Sequence, residues 1–157
     1  MITWLFGLSG SGKTTIAKEL QKKHDVFVLD GDDLRDGLNK DLGFSMKDRK
    51  ENLRRASEVA KILSQTKPVI ACFITPTQEL RQMVKEITDA TMVYVDTPIE
   101  ICIYRDVKGL YKLAKQGKIK KFTGISQKFE KCTGYDYRIN TALTPEETAE
   151  ELWKLIG

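Results

Sequence analysis

Apolar residues fall along this chain in short runs separated by longer, charged stretches. The runs ITWLF (2–6), VFVLD (26–30), VIACFI (69–74), TMVYVD (91–96) and YRIN (137–140) are rich in β-branched and aromatic residues and predict strands. The first four are almost unbroken in apolar character, as expected of strands covered on both faces. Polar and apolar positions at helical spacing fill the intervals near 13–23, 47–66, 77–88 and 98–105. A last helix is predicted to start at TPEE (144–147), with Thr144 as N-cap, Pro145 at the first helical position and Glu147 closing a capping box. Strands alternating with helices predict an α/β fold, in which a five-stranded parallel sheet lies between two helical layers in a three-layer α/β/α arrangement. No linker, repeat or low-complexity tract interrupts the pattern, so one domain is expected over residues 1–157.

Charge changes this picture in one place. The chain carries a formal net charge of +4, yet residues 105–124 alone hold seven basic residues and one acid, +6, which leaves −2 for the remainder. A nucleic-acid binder would more often spread its basic residues along a face or groove. Concentration in one segment points to a local anion, and neither a nucleic-acid nor a membrane partner is expected. The three cysteines, Cys72, Cys102 and Cys132, are far apart and His24 is the only histidine, which excludes a zinc site of ordinary spacing. Cys72 and Cys102 read as buried small hydrophobes and Cys132 as an exposed thiol. No segment has the length of a membrane span, and MITWLFG is too short an apolar run for a secretory signal, so a cytoplasmic location is expected.

The sharpest chemical signal is GLSGSGKTT (7–15), immediately after the first strand and at the start of a helix. Gly7, Gly10, Gly12, Lys13 and Thr14 satisfy the G-x-x-x-x-G-K-[ST] spacing of a phosphate-binding loop. Glycines let successive backbone N–H groups turn onto phosphate oxygens, and the helix that follows aims its positive end at them. Lys13 can reach the β- and γ-phosphates, and the Thr14 hydroxyl can serve Mg²⁺. ATP and Mg²⁺ are the expected cofactors. Leu8, Ser9, Ser11 and Thr15 complete the loop. No N-K-x-D base-reading motif of a GTPase is present, and the chain is short for a motor ATPase, which leaves a small kinase.

Two further clusters support a kinase. LDGDDLRDG places Asp30, Asp32 and Asp33 at the carboxyl end of the second strand, where ligands of parallel sheets bind. Asp32 is the favoured functional carboxylate, holding Mg²⁺ or accepting the proton of an attacking hydroxyl; Asp33 and Asp36 read as solvated acids. In LGFSMKDRKENLRR, Ser45 can cap a helix whose early turns carry Arg49, Arg54 and Arg55, a poor place for cations unless anions neutralise them. Arg49 is expected to face a ligand and Arg55 to pair with Glu51 at i,i+4.

These motifs, with DGDDLR, LGFSMKDRKENLRR, FITP, VDTPIEIC, RDVKGLYKLAKQGKIKKFTGI and INTALTPEETAEEL in that order, make the chain resemble the adenylylsulfate kinases. That family transfers the ATP γ-phosphate to the ribose 3′-hydroxyl of adenosine 5′-phosphosulfate, giving the sulfate donor PAPS. The resemblance implies that Asp32 stands near the transferred phosphate and that Arg35, Arg49 and Asn52 contact a nucleotide acceptor. Phe44 and Phe122 would sandwich its base, as flat aromatic faces suit. Ile74, Lys108, Gly109, Leu110, Thr123, Gly124 and Ile125 would add acceptor and lid contacts, and Arg105 would lie near the ATP adenine. Thr75 stands where the family has serine and keeps a hydroxyl near the chemistry, with direct in-line transfer expected. The basic segment, about 106–125, would be a lid, with Lys108 first among its lysines to meet the transferred phosphoryl group and Lys115, Lys118 and Lys121 solvated. A homodimer is implied by the family alone.

The chain departs from the family after Ile125, where SQKFEKCTGYDYRINTA lacks the usual prolines, and at Val107, which replaces a proline. Stacking is tolerant of base identity, so a relative's acceptor such as cytidine diphosphoramidate, used in capsule modification, fits the same residues. A non-catalytic nucleotide- or RNA-binding module would keep the loop but has no need of Lys13, Thr14, Asp32 and Lys108 together.

Overall fold

The first strand, β1 (Ile2–Phe6), is buried along its whole length because it lies at the centre of the sheet. This computed structural model describes residues 1–140 and 143–157; Thr141 and Ala142, inside the 139–152 motif, lie outside them. β2 (Phe27–Asp30), β3 (Val69–Cys72), β4 (Thr91–Asp96) and β5 (Tyr137–Asn140) complete a parallel sheet of order β2-β3-β1-β4-β5. The five expected strands are all present.

Strand alternation divides the core in two. Ile2, Trp4, Phe6, Val69, Ala71 and Met92 face one layer, formed by α3 (Met46–Leu63) and α4 (Gln78–Thr88) through Leu53, Ala56, Ala60, Leu80 and Val84. Leu5, Ile70, Cys72, Val93 and Val95 face the other, formed by α1 (Lys13–Lys23) and the C-terminal helix through Ile16, Leu20, Ala149 and Leu152. Trp4 stacks on Phe73 with ring centroids 4.8 Å apart, and burying one such side chain contributes roughly 2–3 kcal/mol. Because the chain leaves β1 for one side of the sheet and later crosses to the other, the β1 exit is a topological switch point, where ligand sites of open α/β sheets form.

The helices begin where their caps require. Ser45 accepts the Asp48 N–H at the start of α3, and Thr77 accepts the Leu80 N–H at the start of α4. Thr144 and Glu147 form both halves of the expected capping box ahead of the C-terminal helix (Pro145–Ile156). Two short helices had no sequence forecast, since six residues are too few to show a period. Gly31–Asp36, α2, is capped by the Asp30 carboxylate, which accepts the Asp32 N–H. After α5 (Ile99–Arg105), α6 (Leu110–Lys115) occupies the middle of the basic segment, where Asp106 accepts the N–H groups of Tyr111 and Lys112. The C-terminal helix is therefore α7. Cys132, expected to be exposed, is half-buried and packs against the core.

Candidate active site

The loop after β1 has the backbone that its sequence requires. A Cβ at Gly7 would stand 2.6 Å from the Val95 carbonyl oxygen, so only glycine fits between the loop and β4. Gly12, at φ 105°, turns the chain into α1, whose first turn has neither a side-chain cap nor an acid. Its amide donors and positive dipole end are left to an external anion. The Lys13 ammonium donates to the carbonyl oxygens of Gly7 (2.9 Å) and Leu8 (2.8 Å) and, at 3.4 Å, to the Ser11 hydroxyl. Burial pulls its pKa down from 10.5 to about 8, opposed by more distant groups such as Asp30. The sign has a consequence for binding: below about pH 8 the amine is charged, and above it the charge is lost. Nucleotide binding to the free protein is therefore expected to weaken as pH rises through this value and to take up a proton there. Calorimetry of ATP binding in two buffers of different ionisation enthalpy at about pH 9 measures that uptake directly.

At the end of β2, Thr14 donates its hydroxyl to Asp30 Oδ2 at 2.5 Å. Val28 and Asp30 alternate toward the α1 layer, which brings this carboxylate rather than Asp32 to Thr14. Of the two carboxylates, the structure thus sets Asp30, not Asp32, beside Thr14, which was expected to share a metal with Asp32. Asp32 has already entered α2 and forms an ion pair with Lys108 from across the cleft. Among the described residues no three acidic, histidine or cysteine side chains cluster as a complete metal cage. One hydroxyl and one carboxylate suit Mg²⁺, which keeps waters and takes phosphate oxygens as its other ligands.

The opposite wall carries the expected acceptor residues. Arg35 donates to the carbonyls of Leu42 and Gly43 and lies 4.3 Å over the Phe44 ring. Phe44 stays half exposed beyond that contact. Arg49 is buried and donates to the carbonyls of Phe44 and Lys121 and to the Thr123 hydroxyl, tying α3 to the basic segment. Burial lowers the pKa of both guanidiniums. Asn52 is buried and accepts from Asn39. Arg55 pairs with Glu51, as expected, and also with Asp41.

Thr75 departs from its expected part. It has φ 49°, a conformation that β-branched residues rarely adopt, and its hydroxyl accepts from the Trp4 indole N–H (2.9 Å) and donates to the Phe73 carbonyl (3.3 Å). The buried indole needs an acceptor, and Thr75 supplies it. The residue lines the cleft while its hydroxyl is engaged by Trp4 and Phe73.

The basic segment closes the third side. Arg105 donates to the Gly10 carbonyl. Tyr111 donates to the Ser9 carbonyl at 2.7 Å and meets Phe122 edge-on at 5.0 Å. A cleft of about 760 Å³ results. It brings together Ser9, Gly10, Gly12, Lys13, Thr14 and Thr15; Asp30 and Asp32; Arg35, Phe44, Arg49, Asn52, Ile74 and Thr75; and Arg105, Lys108, Leu110, Phe122 and Thr123. Gly7, Leu8, Ser11, Gly109, Gly124 and Ile125 are not among the residues that line it. At Gly124, expected to contact the acceptor, an added Cβ would approach Ile99 to 3.0 Å and Leu8 to 3.4 Å. Gly109 begins α6, and the Ile125 N–H closes a turn onto the Phe122 carbonyl. Tyr111 and Asp30 also line the cleft, and neither was among the candidate site residues.

A phosphate loop at the exit of a central parallel strand, a hydroxyl–carboxylate pair and an arginine–aromatic wall on one cleft define a P-loop phosphotransferase. The adenylylsulphate kinase family model matches residues 1–140, and the chain belongs to that family. An adenylyl-sulfate kinase of Clostridium acetobutylicum is 46% identical over 154 residues, covering 93% of this chain and 77% of that protein. A probable adenylyl-sulfate kinase of Bacillus subtilis is 52% identical over 138 residues, covering 82% and 70%. The solved structure of the Mycobacterium tuberculosis APS kinase CysC in complex with AMPPNP and APS superimposes with a TM-score of 0.95 at 40% identity, covering 99% of this chain and 96% of that one.

Proposed function

We propose that this protein is an ATP-dependent kinase that phosphorylates the ribose 3′-hydroxyl of adenosine 5′-phosphosulfate, producing PAPS and ADP. The observation that carries the reading is the joining, in one cleft, of the phosphate loop and the Arg35–Phe44–Arg49 wall by the Asp32–Lys108 pair. The similar relatives bearing that name support it. Thr14 and Asp30 would hold Mg²⁺, which when bound neutralises charge on the β- and γ-phosphates. Lys13 and the α1 amides hold the same phosphates in line. The acceptor 3′-oxygen forms the new bond to the γ-phosphorus as the bond to the β-bridging oxygen breaks. Asp32 receives the hydroxyl proton, and Lys108 moves from Asp32 to the transferred oxygens. Residues 106–125 act as a lid over both nucleotides and exclude water that would otherwise accept the phosphate. The cytoplasm and a homodimer remain part of this reading, the second checked by light scattering of the eluted protein.

Phe122→Ala is expected to raise the acceptor KM about tenfold and the ATP KM much less, because a stacked base loses its contact area on one side only. Equal rises in steady-state assays would point to general damage of the segment. The function itself is tested by a side-by-side assay with ATP and Mg²⁺, offering adenosine 5′-phosphosulfate or cytidine diphosphoramidate and following ADP and the phosphorylated product. Selective turnover of the sulfated nucleotide is expected; selective turnover of the cytidine compound would overturn the acceptor assignment and leave the phosphoryl transfer standing.

A further inference from the structure

Arg81 is the most anomalous charged residue outside the cleft. It is 1% exposed, sits in the first turn of α4, where the helix dipole disfavours a cation, and has no carboxylate partner among the ion pairs of the described residues. Its Nη1 has no hydrogen-bond partner. A buried, unpaired guanidinium is costly, and an apolar side chain of similar volume would fill the space at less cost. What it does instead is visible in its contacts. Nε donates to the Thr75 carbonyl (3.0 Å), and Nη2 donates to the carbonyls of Pro76 (3.2 Å) and Glu130 (2.9 Å). The guanidinium lies 5.0 Å from the Phe6 ring centre and 4.8 Å from that of Phe129.

These contacts belong to three regions of the chain. Phe6 leads directly into the phosphate loop. Thr75 holds the cleft wall in a left-handed conformation, with Trp4 bonded to its hydroxyl. Phe129 and Glu130 belong to the return from the 106–125 segment, a stretch without proline to stiffen it. Glu130 adds two bonds of its own, donating its N–H to the Pro76 carbonyl and accepting the Gln78 N–H. We infer that Arg81 is a positioning residue for the acceptor half of the cleft: it fixes the strained Thr75 turn and anchors the returning segment to it. The inference rests on the proposed function, with the acceptor lying also against Ile74 and Thr75, which line the same cleft. Lysine, a point charge on a flexible stem, cannot span three carbonyls in one plane, so the fork geometry is the property required.

The test compares Arg81→Met, which keeps the apolar volume, with Arg81→Lys, which keeps the charge. Three readouts are taken: KM values for adenosine 5′-phosphosulfate and ATP, the indole N–H resonance of Trp4 in a ¹⁵N correlation spectrum, and amide exchange at residues 129–131. Both variants are expected to raise the acceptor KM about tenfold or more with ATP KM within about twofold, as a small displacement of a positioned group does. Both are also expected to shift the Trp4 resonance and to speed exchange at 129–131. A purely structural arginine would lower the thermal midpoint without that split between the substrates. Should Arg81→Met fail to fold, Arg81→Lys alone decides. Equal effects on the two KM values, or an unmoved Trp4 resonance with unchanged exchange, overturn the inference. Absence of turnover of the sulfated nucleotide by the unaltered protein would instead defeat the acceptor assignment, and the resonance and exchange data would then judge Arg81 by themselves.

Discussion

Lys13→Met is expected to lower turnover by at least about a thousandfold while leaving the fold intact. The phosphate loop holds this ammonium at the start of α1, and among the described residues its hydrogen bonds run to loop carbonyls and the Ser11 hydroxyl. A kinase of this class lowers its barrier by positioning and charge stabilisation, so no other group substitutes for a missing cation at the β,γ-bridge. Stability follows a different rule. Burial already disfavours the charged form, as its depressed pKa records, so methionine removes a desolvation cost along with the hydrogen bonds. The thermal midpoint should change little. Single-turnover ADP formation and a melting curve on the same sample check both halves. Turnover within about tenfold of the unaltered protein would contradict the role given to Lys13.

Much of this was legible beforehand because it depends on local rules. Unbroken apolar runs gave the parallel strands, of which β1 and β3 are buried throughout while β2, at the sheet edge, leaves Phe27 exposed, and the spacing of Gly7, Gly12 and Lys13 gave the phosphate loop together with its position after β1. Thr144, Pro145 and Glu147 gave a helix start to the residue. What escaped was set by tertiary direction. The residue spacing of Asp30 and Asp32 does not reveal which reaches Thr14; strand alternation at Asp30 and the turn into α2 decide it. The hydroxyl of Thr75 looked available until the buried Trp4 indole claimed it. The basic segment was expected to be a lid with no helix forecast inside it, yet Asp106 organises α6 at its centre through two backbone N–H groups, a cap that no apolar period announces. Arg81 gave no signal at all, because an arginine in a helical pattern is ordinarily solvated and only its burial between Phe6 and Phe129 distinguishes it.

The second large effect is expected at Asp32. Asp32→Asn should lower kcat by about 10²–10⁴-fold, the usual contribution of a positioned general base, with the ATP KM nearly unchanged. Its ion pair with Lys108 joins two side chains that are each more than half exposed, 61% and 52%, so its loss should scarcely affect stability. The same pair makes the two residues a unit. Lys108→Met alone should also depress kcat, and the double variant should fall little further than the worse single one, because each group is useful only when the other is in place. Asp30→Asn provides the contrast. Its carboxylate meets Thr14, so its loss should raise the Mg²⁺ concentration needed for half-maximal rate and be partly rescued by excess Mg²⁺. Rescue of Asp32→Asn by Mg²⁺ would exchange the two assignments, returning the metal to Asp32. Failure of rescue there, with rescue at Asp30, separates a carboxylate that receives a proton from one that holds an ion, two residues apart on the same turn.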